Sequence, residues 1–234
     1  TPDKMKRHHF IPVILLIAFL SALTACETES QQDVNQDRIY VYYELYYNAD
    51  QDITYAKASF RFGSITGTIL QLSGHSYVKF NDAYLTYKPV LAYYEATFPG
   101  LVTEGDFRYI DLDSTIFVNH ATLHPVDLAE TLDTIHKGHV YELPFDGDSI
   151  RADETVTAFI NSTLGTDLQT FSQSNLLTVS VLMPADRTLE ITPGINTIYV
   201  RRNYLNPVAQ ASSAGAEIHS IYQSHARQIY VKSE

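Results

Sequence analysis

The chain is poor in several residue types that build common sites. It has one cysteine, Cys26, and no tryptophan among 234 residues. A single cysteine excludes an intrachain disulfide framework and a cysteine-rich zinc or iron–sulfur site. The longest apolar run, Phe10–Ala22, is shorter than the about 20 residues that a transmembrane helix needs. The composition is 45% hydrophobic and 18% charged, which suits a globular body with a real core.

Basic residues are scarce after the N-terminus. The formal net charge is −11, and from Cys26 onward 13 basic residues face 26 acidic ones. Phosphate recognition depends on clustered Lys and Arg, and the pair Arg201–Arg202 is the largest such cluster in the body. The folded body is therefore not expected to bind nucleic acid or an anionic membrane surface.

The N-terminal segment has the parts of a secretory signal. Lys6 and Arg7 form a basic region, Phe10–Ala22 an apolar region, and Leu23-Thr24-Ala25-Cys26 follows. These last four residues resemble the lipobox of bacterial lipoproteins. The alternative is a signal without lipid and a chance cysteine.

The resemblance implies a lipid anchor in the bacterial cell envelope. Residues 1–25 would be removed, and Cys26 would carry diacylglycerol and an acyl chain such as palmitate, because two or more chains anchor stably where one does not. Glu27 is not the aspartate that retains many lipoproteins in the inner membrane. An outer-membrane location, facing the periplasm or the cell surface, is expected. Residues 26–36 are polar and acidic and predict a flexible tether.

A β-hairpin is the clearest local prediction. Arg38–Asn48 and Ile53–Phe62 are rich in β-branched and aromatic residues and alternate in polarity. With a turn at Ala49–Asp52, Asn48 lies opposite Ile53 and the pairing continues to Ile39 opposite Phe62. One face then matches large residues with small ones, as a core requires. The other face sets Glu44 against Lys57 as an ion pair and Tyr40 against Arg61, and it should face water.

Short strand-like runs continue through the chain and predict an all-β fold. The body resembles two tandem antiparallel β-sandwich domains of immunoglobulin-like type, at 37–123 and 124–234; one larger sandwich is the alternative. His124–Gly138 is predicted as a short helix at the junction. The further strands are predicted at Thr68–Leu72, Tyr77–Asn81, Ala92–Phe98, Phe107–Asp111, Thr115–Thr122, His139–Phe145, Thr155–Asn161, Leu176–Met183, Thr188–Ile191, Thr197–Arg202, Glu217–Gln223 and Gln228–Lys232.

Catalytic and metal motifs are weak in this sequence. Neither a Gly-x-Ser-x-Gly elbow nor a phosphate-binding loop is present, so we expect no catalytic residue and no cofactor. A zinc site at His120, His124 and His136 is a hypothesis, although surface histidines are the simpler interpretation. The Asp-x-Asp-Ser stretches that begin at Asp111 and Asp146 could hold calcium, but Asp and Ser are also common turn formers.

Tyrosines suggest a binding face. Of the 17 tyrosines, 12 lie between Tyr40 and Tyr109. Aromatic rings on an exposed sheet face can stack on sugars or peptides, and the predicted hairpin places Tyr40, Tyr42, Tyr46 and Tyr55 on one such face. The first functional hypothesis is a non-enzymatic binding or structural lipoprotein with a membrane anchor and an envelope protein or glycan as partner. The alternative is an envelope hydrolase or carbohydrate-active enzyme, which would need a deep pocket with convergent acidic residues or histidines.

Overall fold

The computed structural model describes residues 29–162 and 167–233, and these residues form an almost entirely β structure. The predicted all-β class is confirmed. Two 3-10 turns, Gln31–Asp33 and Gln36–Arg38, and one four-residue helix, α1 (Ala185–Thr188), accompany the strands. The strands are β1 (Glu29–Ser30), β2 (Ile39–Asn48), β3 (Ile53–Phe62), β4 (Ile69–Gln71), β5 (Tyr77–Phe80), β6 (Ala83–Tyr84), β7 (Thr86–Lys88), β8 (Tyr93–Pro99), β9 (Glu104–Ile110), β10 (Ile116–Thr122), β11 (Asp127–Leu128), β12 (Ile135–His136), β13 (Tyr141–Asp146), β14 (Glu154–Ser162), β15 (Leu168–Gln173), β16 (Ser180–Met183), β17 (Gly194–Asn206), β18 (Ala216–Gln223) and β19 (Arg227–Lys232).

The β2–β3 hairpin has the predicted register. Ile39 pairs with Phe62, Glu44 with Lys57 and Asn48 with Ile53. The inward residues are buried, because large side chains of β2 meet alanines and Phe60 of β3 on the core face. The alternation of size and polarity was sufficient to fix the register of this pair.

One large sheet runs through both halves of the chain. Its strand order is β1-β4-β3-β2-β18-β17-β14-β15, with β8 and β7 continuing from β3 and with β19 and β12 continuing from β17. The link between the halves is the parallel pairing of β2 with β18, from Val41 opposite Ala216 to Asn48 opposite Gln223. The hairpin that β17 and β18 form therefore adds a strand to the sheet of the first half.

Two smaller sheets cover this large sheet and enclose two cores. The sheet β10-β9-β5-β6 belongs to a core that contains Tyr43, Phe60 and Phe107, and the sheet β11-β13-β16 to a core that contains Leu143 and Val200. The structure is thus layered as a β-sandwich. The division at residue 123/124 stays a prediction, since β18 supplies Ile218 to the first core and Tyr222 packs against both.

Two secondary-structure predictions were wrong. His124–Gly138 is not a helix: it contains the short strands β11 and β12, whose residues Leu128 and Ile135 are buried. Thr188–Ile191 is not a strand, because helix α1 starts after Pro184 and ends at Thr188. Strand β15 was missed, since Phe171 is the one buried side chain in a mostly polar stretch.

The predicted flexible tether is wrong for residues 29–36. Strand β1 pairs in parallel with β4, and Gln31 and Gln36 are buried. The Gln31 Nε2 donates to Gln36 Oε1 at 2.7 Å and to the Tyr109 hydroxyl at 2.6 Å. This segment is part of the folded body, because hydrogen bonds join its two buried glutamines to each other and to Tyr109, although Gln31 Oε1 has no partner among the described residues.

The predicted signal peptide and the lipidation site Cys26 lie outside the described residues. Across residues 29–162 and 167–233, no helix combines the length and apolarity needed to cross a bilayer.

Candidate functional site

The predicted tyrosine face lies on the outer side of the large sheet. Tyr46 and Tyr55 are stacked, with ring centroids 5.8 Å apart and an interplanar angle of 22°. Tyr42 stacks on His219 of β18 at 5.0 Å. These three tyrosines are half-buried, so each offers part of its ring to solvent.

Tyr40 does not share this exposure. It is 6% exposed, because the chain entering β18 at Gly215 packs beside its ring. The expectation that Tyr40 faces water is therefore wrong, although it lies on the predicted side of the hairpin. Burial, followed by the nearby Glu217, raises the pKa of the Tyr40 hydroxyl.

Lys57 organises the centre of the face. Its Nζ lies 2.8 Å from Glu44 Oε1, which confirms the cross-strand ion pair expected from the register. The same ammonium lies 5.2, 5.5 and 5.7 Å from the ring centroids of Tyr46, Tyr55 and Tyr93. Cation–π contacts at these distances are favourable, so Lys57 fixes three rings in place while Glu44 neutralises its charge.

A hollow of about 240 Å³ opens beside Lys57, and we call it the β3 hollow. The hairpin forms its floor, and the loop between β7 and β8 forms a wall that carries the exposed Leu91. Its lining residues are Tyr42, Glu44, Lys57, Ala58, Ser59, Arg61, Ile69, Leu91, Ala92 and Tyr93. The hollow combines aromatic surface, hydroxyls, one carboxylate and two cations, which is the mixture found in small-ligand sites.

The tyrosine hydroxyls of the hollow are protonated at neutral pH. Burial raises the pKa of Tyr42 to about 12, and the carboxylates of Glu44 and Glu217 act in the same direction. Burial also raises the pKa of Tyr93, with Glu95 as the next cause. The Tyr93 hydroxyl donates to Glu95 Oε2 at 3.2 Å, so its oxygen remains to accept a hydrogen bond from a ligand.

Of the four tyrosines predicted as a binding face, Tyr42 lines the hollow, whereas Tyr40, Tyr46 and Tyr55 do not. Arg61, Leu91 and Tyr93 were not predicted as parts of a site. Arg61 was placed on the correct face opposite Tyr40. Tyr93 reaches the hollow because β8 pairs with β3, with Tyr94 opposite Ala58. That pairing joins distant segments, and no local pattern in the sequence could have predicted it.

The histidines and turn aspartates considered for a metal site are not gathered into one group in the described part of the chain. Within the described ranges, no three His, Cys, Asp or Glu side chains are grouped so as to hold a metal ion. His120 is paired with Asp106 at 2.7 Å, and His124 with Glu154. Asp111 accepts a hydrogen bond from the Thr115 amide at 2.8 Å, as in an ordinary turn.

A second polar cluster lies buried at the junction of the two cores. The Arg202 Nε lies 3.6 Å from Glu154 Oε2, and both side chains are 1% exposed. The His124 ring contacts the same carboxylate and stacks on Tyr204 at 4.7 Å. These contacts join β14, β17 and the segment that follows β10.

Comparison with protein-family models and with curated proteins finds no match for this chain. Its function must therefore be inferred from the geometry of the site.

Proposed function

We propose that this protein is a lipid-anchored, non-enzymatic binding module of the bacterial cell envelope, and that it holds its ligand in the β3 hollow. The observation that carries the proposal is the hollow itself: a depression on the outer face of a sheet, lined by the ring of Tyr93, which Lys57 contacts, and by the ring of Tyr42, which stacks on His219. The lipobox at Leu23–Cys26 supports the anchor, with the outer membrane as the expected location. Nucleic acid is not an expected partner.

A hydrolase is the less favoured alternative. Glycoside hydrolysis by the common mechanism needs two carboxyl groups about 5–5.5 Å or about 6.5–9.5 Å apart across the bond that breaks. Glu44 is the one carboxylate that lines the hollow, and Lys57 neutralises it at 2.8 Å. A neutralised single carboxylate suits binding better than acid–base catalysis.

We also infer an immunoglobulin-like arrangement for the second half of the chain. The sheet β11-β13-β16 faces the order β15-β14-β17-β19-β12, so that strands early and late in the sequence alternate between two layers. This order supports the resemblance to immunoglobulin-like sandwiches, which display ligands on strands and loops. A scaffold of this kind is compatible with a role in binding or assembly.

The anchor can be tested by metabolic labelling with palmitate. We expect the wild type to incorporate label in the envelope fraction and Cys26→Ala to lose it. Because Cys26 is the one cysteine in the sequence, no second thiol can take over the modification. Equal labelling of the two proteins would refute the lipid anchor.

Binding in the hollow can be tested with glycan and peptide arrays. Tyr93→Ala removes one aromatic wall and should weaken capture of any ligand that the wild type retains. Tyr230→Ala is the matched control, since Tyr230 is 54% exposed on β19, outside the hollow. If both variants bind like the wild type, the β3 hollow is not the binding site.

A further inference from the structure

Arg61 is a cation in the β3 hollow that has no anionic partner. Its Nη1 donates a hydrogen bond to the Gly67 carbonyl oxygen at 3.2 Å. Among the described residues, no carboxylate lies within ion-pair distance of its guanidinium. An arginine carries five N–H donors, so most of them remain for a ligand.

The side chains that line the hollow carry one net positive charge, and the nearby carboxylate of Glu95 on β8 is paired with Lys88 at 3.8 Å. Lys57 and Glu44 cancel each other at 2.8 Å, which leaves the charge of Arg61. The whole chain has a formal charge of −11. A planar guanidinium binds a carboxylate through two parallel hydrogen bonds, and this geometry selects planar anions over other ligands.

The remaining lining residues favour a hydroxylated ring. The Ser59 hydroxyl makes no hydrogen bond with another described residue, Glu44 can accept hydrogen bonds from ligand hydroxyls, and Tyr93 offers a ring surface. Pockets for drug-sized ligands measure about 300–1,000 Å³. A hollow of about 240 Å³ therefore suits one ring.

We propose that the β3 hollow binds a pyranose unit that carries a carboxylate, with Arg61 on the carboxylate, Tyr93 against the ring and Ser59 on a hydroxyl. The inference rests on the proposed function and names its ligand class. An acidic peptide is the weaker candidate, because it offers a carboxylate to Arg61 but no sugar ring for Tyr93 and no ring hydroxyl for Ser59.

The test measures binding of defined probes to the full mature chain in detergent by isothermal titration calorimetry. The probes are tetragalacturonate and sialyllactose, the methyl ester of each, and tetraglutamate. We expect at least one acidic saccharide to bind the wild type, and its ester to bind at least about tenfold more weakly, since the ester loses the charge-assisted pair. Tetraglutamate should not bind.

Variants assign the effect to Arg61. Arg61→Gln should bind the acid and its ester with equal and weakened affinity. Arg61→Lys should keep part of the preference for the acid, because lysine keeps the positive charge but cannot form the two parallel hydrogen bonds of a guanidinium. Arg108→Gln is the control: Arg108 is exposed on β9 and has no ion-pair partner among the described residues. It should bind like the wild type, and thermal melts check that each variant is folded.

The possible failures are distinguishable. If acid and ester bind the wild type equally, the carboxylate inference is wrong while the hollow remains a binding site. If tetraglutamate binds as well as the saccharides, the site is a general anion site and the sugar assignment is wrong. If no acidic saccharide binds, the inference is overturned, whereas the array experiment with Tyr93→Ala judges the proposed function separately. The ester comparison uses the wild type alone, so it holds even if Arg61 variants do not fold.

Discussion

Removal of one partner from the buried pair Glu154–Arg202 should destabilise the protein severely. The two side chains are 1% exposed, with Arg202 Nε 3.6 Å from Glu154 Oε2. Arg202 also donates from Nη1 to the Pro125 carbonyl oxygen at 3.1 Å and from Nη2 to the Asp148 carbonyl oxygen. Glu154 accepts a hydrogen bond from the Arg151 amide at 2.9 Å.

The size of the effect follows from what each substitution leaves behind. Glu154→Leu leaves a buried guanidinium without its ion-pair partner, which typically costs about 3–5 kcal/mol. The carbonyl oxygens of Pro125 and Asp148 still accept hydrogen bonds from Arg202, so we expect the unpaired charge to lower the free energy of unfolding by about 3 kcal/mol. The Arg151 amide also loses its acceptor, which should lower it by about 1 kcal/mol more. Arg202→Leu should cost about 3 kcal/mol, since His124 and the Arg151 amide still contact the carboxylate.

The double variant Glu154→Leu/Arg202→Leu separates the pair from its surroundings. Replacing both charges with apolar side chains is often near neutral, so the double variant should be more stable than Glu154→Leu alone, with a coupling energy of at least about 2 kcal/mol. Urea unfolding followed by circular dichroism measures each free energy. The exposed pair Arg187–Glu190, 3.2 Å apart, is the control and should couple by less than about 1 kcal/mol. Strictly additive single effects at Glu154 and Arg202 would refute this reasoning.

Three further predictions follow from local geometry. Asn119→Leu should speed hydrogen exchange at the Gln210 amide, because Asn119 Oδ1 accepts a hydrogen bond from that amide at 3.0 Å; unchanged protection would contradict this. Gly105→Ala should lower the free energy of unfolding by about 1–3 kcal/mol, because the added Cβ would lie 2.4 Å from the ring of Phe80 and overpack the core. An unchanged free energy in urea unfolding would contradict this and show that the ring can move aside. Burial raises the pKa of Tyr42 to about 12, above its usual value near 10, so Tyr42 ionises first in the unfolded state. The free energy of unfolding should therefore fall as the pH rises from about 10 to 12. Ultraviolet titration should show late-ionising tyrosines, and a single reversible transition near pH 10 would contradict this.

The β2–β3 hairpin could be predicted from the sequence because its pairing depends on residues close together in the chain. The β2–β3 register follows from alternation, from the match of Leu45 with Ala56 and from the pair Glu44–Lys57, all within one hairpin. Each of these signals would be lost in a slip of one residue. The tyrosine face followed directly from that register.

The pairings between strands that lie far apart in the sequence could not be predicted in the same way. The parallel pairing of β18 with β2 joins residues that lie more than 170 positions apart, as in Ala216 opposite Val41. Periodicity shows which side of a strand is buried, but it does not identify the neighbouring strand. The helix prediction at His124–Gly138 was wrong for a related reason. Leu128 and Ile135 are buried by pairing with strands from distant parts of the chain, and a short apolar pattern is the same for a helix and for an edge strand.

The nonlocal pairing also supports the proposed binding site. Strand β18 places His219 against Tyr42, which is one wall of the β3 hollow, and the Gln223 side chain accepts hydrogen bonds from both Tyr46 and Arg201. Strand β17 holds β18 in place and carries Arg202, which anchors it to the second core. A wall of the hollow in the first half of the chain is thus fixed by residues from the second half. Ligand affinity should therefore depend on the intact sheet and should not be a property of the first half alone.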